Sequence, residues 1–458
     1  MKRVIVLALT LLLFTLPALA QEPLDAEALK TEIERLREEG GAPGLAVAVV
    51  YDGEVIFSEG FGVRNTETND PVTADTLFRI GSTTKPLTAI GLLMLVEQGL
   101  LDLDAPVSSI VPEFQAGDDI TVRHLLSHMS GLSDNAEPYG RLDPEALRDY
   151  VAALGEGARF APAGEVLSYS NPGFDVAGRV IEVVSGQHYA DYMADKVFPA
   201  LEMRRTTLYP NLAMTYPLAV GYSRGLLGNA PVRPMVDNVA EYPAGFIFSS
   251  VNDLTRLAQV VLDKGMLDGE PILSAELAAE MQTPAAMLGT TGYGLGLIVG
   301  DYQGVRTLGH DGAINGYSSY FNTIPEYGLG VIVLASVDGF DALPIFEEIA
   351  DLLLDLPKST MAAGPSLPAE ALAEYAGEYV LSDIYGGEVA SIRIAVEEED
   401  LVATVTGQPP LQLVPAAADV FEIAFGGVQV GQQAIFVRDA AGAVQYLNVG
   451  FRAAARVE

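Results

Sequence analysis

Phe78-Arg79-Ile80-Gly81-Ser82-Thr83-Thr84-Lys85-Pro86 places a hydroxyl and an amine three residues apart where an apolar segment turns into a helix. Pro86 suits a first helical turn, where its missing N–H has no intrahelical partner to lose. The periodic run that follows reaches Gln98 and closes at Gly99. Positions i and i+3 share a helix face, so Ser82 and Lys85 are neighbours. A helix start offers free backbone N–H groups and positive potential to a developing alkoxide. An amine held in a partly desolvated cleft can give up its proton and act as a base. Lysine occurs only at positions 2, 30, 85, 196, 264 and 358, and Ser82 is the only serine three residues before one of them. Taken alone, the pair reads equally well as an N-capping serine and a solvated lysine.

Two further constellations bear on that choice. Tyr169-Ser170-Asn171 lies between Pro162-Ala163-Gly164 and Pro172-Gly173, which marks a loop. A phenol near cations can relay a serine proton, and an amide can grip a substrate carbonyl. His310-Asp311-Gly312 ends a strand-like run over 306–309, and its glycine lets a substrate come close to the backbone. The N–H of Ala313 could then pair with that of Ser82 as an oxyanion hole, where losing one donor typically costs about 100- to 1,000-fold in rate. Alone, the first of these reads as a packed tyrosine beside an asparagine turn, and the second as a structural histidine.

Together the three motifs resemble the serine β-lactamase and penicillin-binding protein family, in its class C-like branch, which also holds D,D-peptidases, D-aminopeptidases and esterases. Ser-x-x-Lys, Tyr-x-Asn and a His-x-Gly in place of Lys-Thr-Gly occur in the family's order. His124-Leu125-Leu126-Ser127-His128-Met129-Ser130-Gly131-Leu132 and Pro243-Ala244-Gly245 fit as well, and the resemblance covers 40–356. It implies an acyl-enzyme on Ser82, with Lys85 and Tyr169 handling the proton and the base left open between them. It implies substrate binding by Asn171, His310, Asp311, Gly312 and Ala313, with no cofactor and no metal. Ser133-Asp134-Asn135 matches a class A motif in letters and is set aside, because Tyr169 fills that role. His124 and His128 have helical spacing, but no glutamate stands where a zinc motif needs one, so they read as structural.

Composition bounds the rest. Residues 1–20 read as a secretory signal, with Lys2 and Arg3 ahead of an apolar run, Pro17, and Ala18-Leu19-Ala20 as a cleavage site. That predicts a periplasmic or secreted protein without a stable membrane anchor. The absence of cysteine excludes disulfides and thiol nucleophiles. A formal charge of −35 repels nucleic acid, so the expected partner is a small-molecule or peptide substrate.

The predicted order is a helix over 24–39, a hairpin over 45–58 turning at Asp52-Gly53, a long helical middle, then strands from 293 to 335 and a helix over 343–356. Helices are expected over 86–98, 124–128, 145–153, 174–185 and 254–267, and a long loop over 204–235. The fold class is α/β in the loose sense (α+β): an antiparallel sheet with helices on its faces and an all-helical region. A linker over 358–368 leads to a small all-β domain, 369–458, resembling the lipocalin-like barrels that some relatives append. Glu397-Glu398-Glu399-Asp400 reads as a solvated turn.

Asp311 stands where relatives that bind a carboxylate have a hydroxyl. A fixed carboxylate facing another costs affinity. The expected substrate is therefore an ester, an amide or a peptide with a free amine. The alternatives are a β-lactam or D,D-peptide and, in another class, a non-catalytic binding protein. Thr83, Thr84 and the 204–235 segment are expected to line the cleft.

Overall fold

The computed structural model describes residues 25–226, 228–357, 367–398 and 400–457. The predicted signal and most of the predicted linker lie outside the described residues. Three early strands, β1 (Gly44–Tyr51), β2 (Glu54–Asn65) and β3 (Asp70–Pro71), join six late ones. These are β4 (Ala286–Leu288), β5 (Thr291–Tyr293), β6 (Ile298–Tyr302), β7 (Val305–Ile314), β8 (Tyr317–Ile324) and β9 (Leu329–Ala335). The order is β4-β5-β6-β7-β8-β9-β1-β2-β3, antiparallel throughout, so the two ends of the domain are stitched together at β1 and β9.

Alternation along β1 explains how both faces are buried. Leu45, Val47 and Val49 meet Leu29 and Ile33 of helix α1 (Ala26–Glu39). The smaller Ala46 and Ala48 face the opposite core, which includes Leu254, Leu257 and Ala258. That core continues into a helical region built around α2 (Thr84–Glu97) and α3 (Asn171–Ser185). Helix α2 is buried almost all round, as its apolar sequence TKPLTAIGLLMLVE requires.

Several boundaries differ from the sequence reading; the helix expected over 254–267 spans Val251–Leu262, and Met266–Leu267 pairs instead with Glu270–Pro271. The third motif is not at a strand end, because β7 continues through it to a hairpin at Asn315-Gly316. Helix α3 begins at Asn171, capped by the Ser170 hydroxyl on Gly173 N, with Pro172 in its first turn. The 204–235 segment is not all loop, since Tyr222–Gly225 pairs with Gly228–Pro231.

The C-terminal region is a closed eight-stranded barrel in sequence order. Its strands are β10 (Gly377–Ser382), β11 (Glu388–Glu397), β12 (Asp400–Val405), β13 (Leu411–Ala417), β14 (Val420–Phe425), β15 (Val428–Arg438), β16 (Val444–Val449) and β17 (Arg452–Arg456). Pairing of Tyr379 with Arg456 closes it, which removes free edges. Tyr379, Phe421, Phe436 and Leu447 fill its interior. The barrel docks by its last hairpin. Asn448 Nδ2 donates to Leu167 O at 2.8 Å, and Ala453 N to Ser168 Oγ at 3.1 Å.

Candidate active site

Ser82 sits in a tight turn, Gly81–Thr83, that runs into α2. The turn is pinned to the sheet from below. Thr83 Oγ1 lies 2.8 Å from Ser319 Oγ, and Ser319 donates to Ile80 O at 2.6 Å. Thr84 Oγ1 accepts from Ile247 N at 3.3 Å. Both threonines are fully buried, so they anchor the turn and do not line the cleft as expected. Gly81 has φ +49°, and a methyl there would stand 2.7 Å from Ala313 N. A methyl on Gly312 would collide with Ile80 O and Ser319 Oγ and lie 3.0 Å from Ser82 N. The two glycines are what allow β7 and the serine turn to approach so closely.

That approach brings two backbone donors together. Ile314 and Tyr317 flank a two-residue hairpin and exchange hydrogen bonds, so Ala313, one residue back, turns its N–H away from β8. On that side β6 has already ended, its last partner being Gly309. The Ala313 N–H therefore points to the side of β7 on which the serine turn lies.

Lys85 is fully buried, and its Nζ lies 3.2 Å from Ser82 Oγ, 2.7 Å from Asn171 Oδ1 and 2.7 Å from Ala244 O. Burial pushes its pKa down to about 7, against the pull of Asp134, Asp175 and Glu241. A neutral amine keeps two donors, which Asn171 and Ala244 take, and its lone pair then faces the serine hydroxyl. Burial drives the Tyr169 phenol well above the ordinary tyrosine range, against the pull of the neighbouring Ser82 hydroxyl. Its ring lies 4.7 Å from Lys85 Nζ.

The Tyr-x-Asn loop is held by His128, a structural histidine as the sequence suggests, and by Asp134, whose part the sequence reading misses. His128, fully buried, accepts Ser170 N at Nδ1 (3.1 Å) and stacks at 4.3 Å from the Tyr169 ring. Asp134 was set aside with its neighbours, but its Oδ1 accepts both Asn171 N at 2.8 Å and Asn171 Nδ2 at 3.0 Å. This fixes which way the Asn171 amide faces. The letters Ser133-Asp134-Asn135 were legible; only the close approach of that loop to α3 shows what Asp134 does.

His310 is buried on β7, its Nε2 2.8 Å from Tyr293 OH and its Nδ1 2.5 Å from the Asp311 carbonyl. Burial pushes its pKa down to about 4, so near neutrality it brings no positive charge where relatives carry lysine. Asp311 alternates to the other side of β7, exposed and opposite Tyr320. A cavity of about 440 Å³ there is bordered by Asp311, Ala313, Tyr320 and Asp341. Among the described residues no cluster of His, Asp and Glu is arranged to hold a metal ion.

Fold and constellation together define a serine hydrolase whose candidate nucleophile opens a helix beside an antiparallel sheet. The profile of the Beta-lactamase family matches residues 29–354, and the chain belongs to that family. The Amycolatopsis lactamdurans protein named penicillin-binding protein 4 is 34% identical over 379 residues, covering 78% of this chain and 98% of its own length. A protein of Aspergillus campestris named unguisins hydrolase is 31% identical over 338 residues, covering 69% of this chain and 62% of its own. The solved structure of SurE is similar with a TM-score of 0.77 at 26% identity, covering 94% of this chain and 99% of that one. SurE has also been solved with D-Leu (TM-score 0.75).

Proposed function

We propose that this chain is an exported hydrolase that cleaves an ester, amide or peptide bond through an acyl-enzyme on Ser82. The observation that carries this is Lys85, fully buried, 3.2 Å from the serine oxygen and poised to be neutral near pH 7. Lys85 is then the base that takes the Ser82 proton as the oxygen attacks the substrate carbonyl. Tyr169, whose phenol stays protonated, passes a proton to the leaving group and receives one back from the amine. The Ser82 and Ala313 N–H groups hold the oxyanion. Water then attacks the carbonyl carbon of the acyl-enzyme ester; the Lys85 amine takes the water proton and returns it to the Ser82 oxygen as that oxygen leaves, which restores the serine hydroxyl and the neutral amine. Export rests on the leader-like composition of 1–20.

The neutral His310 offers no cation to pair with a carboxylate, which favours a substrate without one beside the scissile bond. A second reading, a β-lactam or D-configured peptide, is favoured by the half-exposed guanidinium of Arg452 at the rim, 5.2 Å from the Tyr169 ring. SurE, solved with D-Leu, points the same way.

Intact mass after a fluorophosphonate and, separately, a penicillin tests both, on the mature chain and on Ser82→Ala. A phosphonyl adduct lost in the variant supports the nucleophile, and its absence from a folded wild type overturns it. Penicillin acylation or turnover selects the second reading. The mass of the chain recovered from outside the cytoplasm tests cleavage after Ala20.

A further inference from the structure

The barrel enters the site at a single turn. Gly450 and Phe451 connect β16 to β17, and Phe451 has φ +65°, a left-handed backbone that bulky side chains rarely adopt. Such strain persists only where the surroundings hold it. Here the Phe451 carbonyl accepts Tyr169 N at 2.6 Å, and its ring lies 6.3 Å from that of Tyr293, the partner of His310. One residue on, Arg452 places Nε 2.8 Å and Nη2 2.7 Å from Asp134 Oδ2.

Asp134 thus divides its oxygens. One takes the barrel's guanidinium, and the other takes the backbone and side-chain N–H groups of Asn171. The remaining Asn171 oxygen holds Lys85. A half-exposed ion pair adds little to stability on its own. Its place in this series is what gives it a consequence.

We infer that Arg452 is a positioning residue for the serine chemistry: through Asp134 it fixes the Asn171 amide that holds Lys85 against Ser82, so the C-terminal barrel is part of the active site. This rests on the proposed roles of Ser82 and Lys85. Lys85 is faced by Asp134, by Asp175 of α3, by Glu241 of the turn before Tyr242, by the phenol of Tyr169, and by His128 and His310. Arg452 is the cation set against those carboxylates, and it favours the neutral amine. Without it, Asp134 is free to swing and its charge is unopposed, so Lys85 holds its proton to higher pH.

The test uses the full chain as wild type, Arg452→Met, Arg452→Lys and Asp134→Asn, together with the Arg452→Met/Asp134→Asn pair. The readouts are the rate of Ser82 modification by a fluorophosphonate from about pH 5 to 9, and kcat and KM for a neutral p-nitrophenyl ester. Arg452→Met is expected to slow modification at neutral pH about tenfold and move its acidic limb upward, with KM for the neutral ester little changed. Arg452→Lys should restore most of the rate, and the effect of Arg452→Met should shrink in the Asp134→Asn background. If Arg452→Met does not melt cooperatively, Arg452→Gln decides instead. An unmoved acidic limb in the folded, charge-removing variant overturns the inference, as does a change confined to KM for carboxylate-bearing substrates, which would make Arg452 a substrate contact. Failure of wild type to be modified at Ser82 defeats the underlying reading instead.

Discussion

Asn171 Oδ1 lies 2.7 Å from Lys85 Nζ, and it faces that way because Asp134 holds the amide nitrogen. Exchanging that oxygen for a charged one leaves the shape nearly unchanged. Asn171→Asp should therefore keep the fold while favouring the ammonium form of Lys85, and it also loses the Nδ2 donor to Asp134. The acidic limb of Ser82 modification is expected to rise by about one pH unit or more. A pH profile of fluorophosphonate labelling checks this, and an unmoved limb would count against Lys85 as base.

The wild-type pH profile follows from the same amine. The active form is neutral, so kcat/KM for a neutral ester should climb with pH through about 7 and level off above it. His310, held down near 4, titrates too far below to shape that limb. A flat profile across this range would contradict the assignment.

Stability carries a linked signature. Burial holds the Lys85 pKa at about 7 in the folded chain against 10.5 for an unperturbed lysine, so between those values the unfolded state binds more protons and stability rises with pH. Lys85→Met removes that slope. Urea unfolding should show the variant's advantage over wild type to be greatest at and below neutral pH and to narrow towards pH 10.

Gly312→Ala puts a methyl against the Ile80 carbonyl and the Ser319 hydroxyl. Either β7 or the serine turn must yield. A loss of about 1–3 kcal/mol is expected in thermal unfolding. Labelling of Ser82 should fall far more than that loss implies, because the two oxyanion donors separate. Labelling at the wild-type rate would show that β7 can retreat without disturbing the serine.

Phe421 is fully buried in the barrel, with its ring 4.9 Å from Tyr375 and 5.5 Å from Phe436. Phe421→Ala should destabilise the barrel by about 3–5 kcal/mol. Calorimetry should then show an early transition, and Ser82 labelling should decline over the same temperatures. Labelling that outlasts barrel melting would separate the two.

The sequence carried the first part of the site plainly. Ser82 and Lys85 share a helix start, and a local rule of spacing places them together whatever the rest of the chain does. Tyr169, Asn171 and Ala313 were legible only through resemblance, because their approach depends on long-range packing. Alternation in β1 and the barrel strands was readable, since burial on one or both faces writes itself into the residue pattern. The extent of β7 was not, because Asp311 and Gly312 break an apolar run that the hydrogen-bond ladder continues through. Asp134 and Arg452 could not be paired from their letters, since nothing local distinguishes them from other surface charges.

The turn at Phe451 belongs to a barrel that encodes its own core, while the serine belongs to a fold sewn shut at β1 and β9. The machinery is thus contributed by segments distant along the chain, and the last of them closes on the others from outside. Contacts of such long sequence separation form slowly. A chain whose barrel has not yet docked would lack both the Arg452–Asp134 pair and the Phe451 carbonyl that holds Tyr169, so its serine would react more slowly.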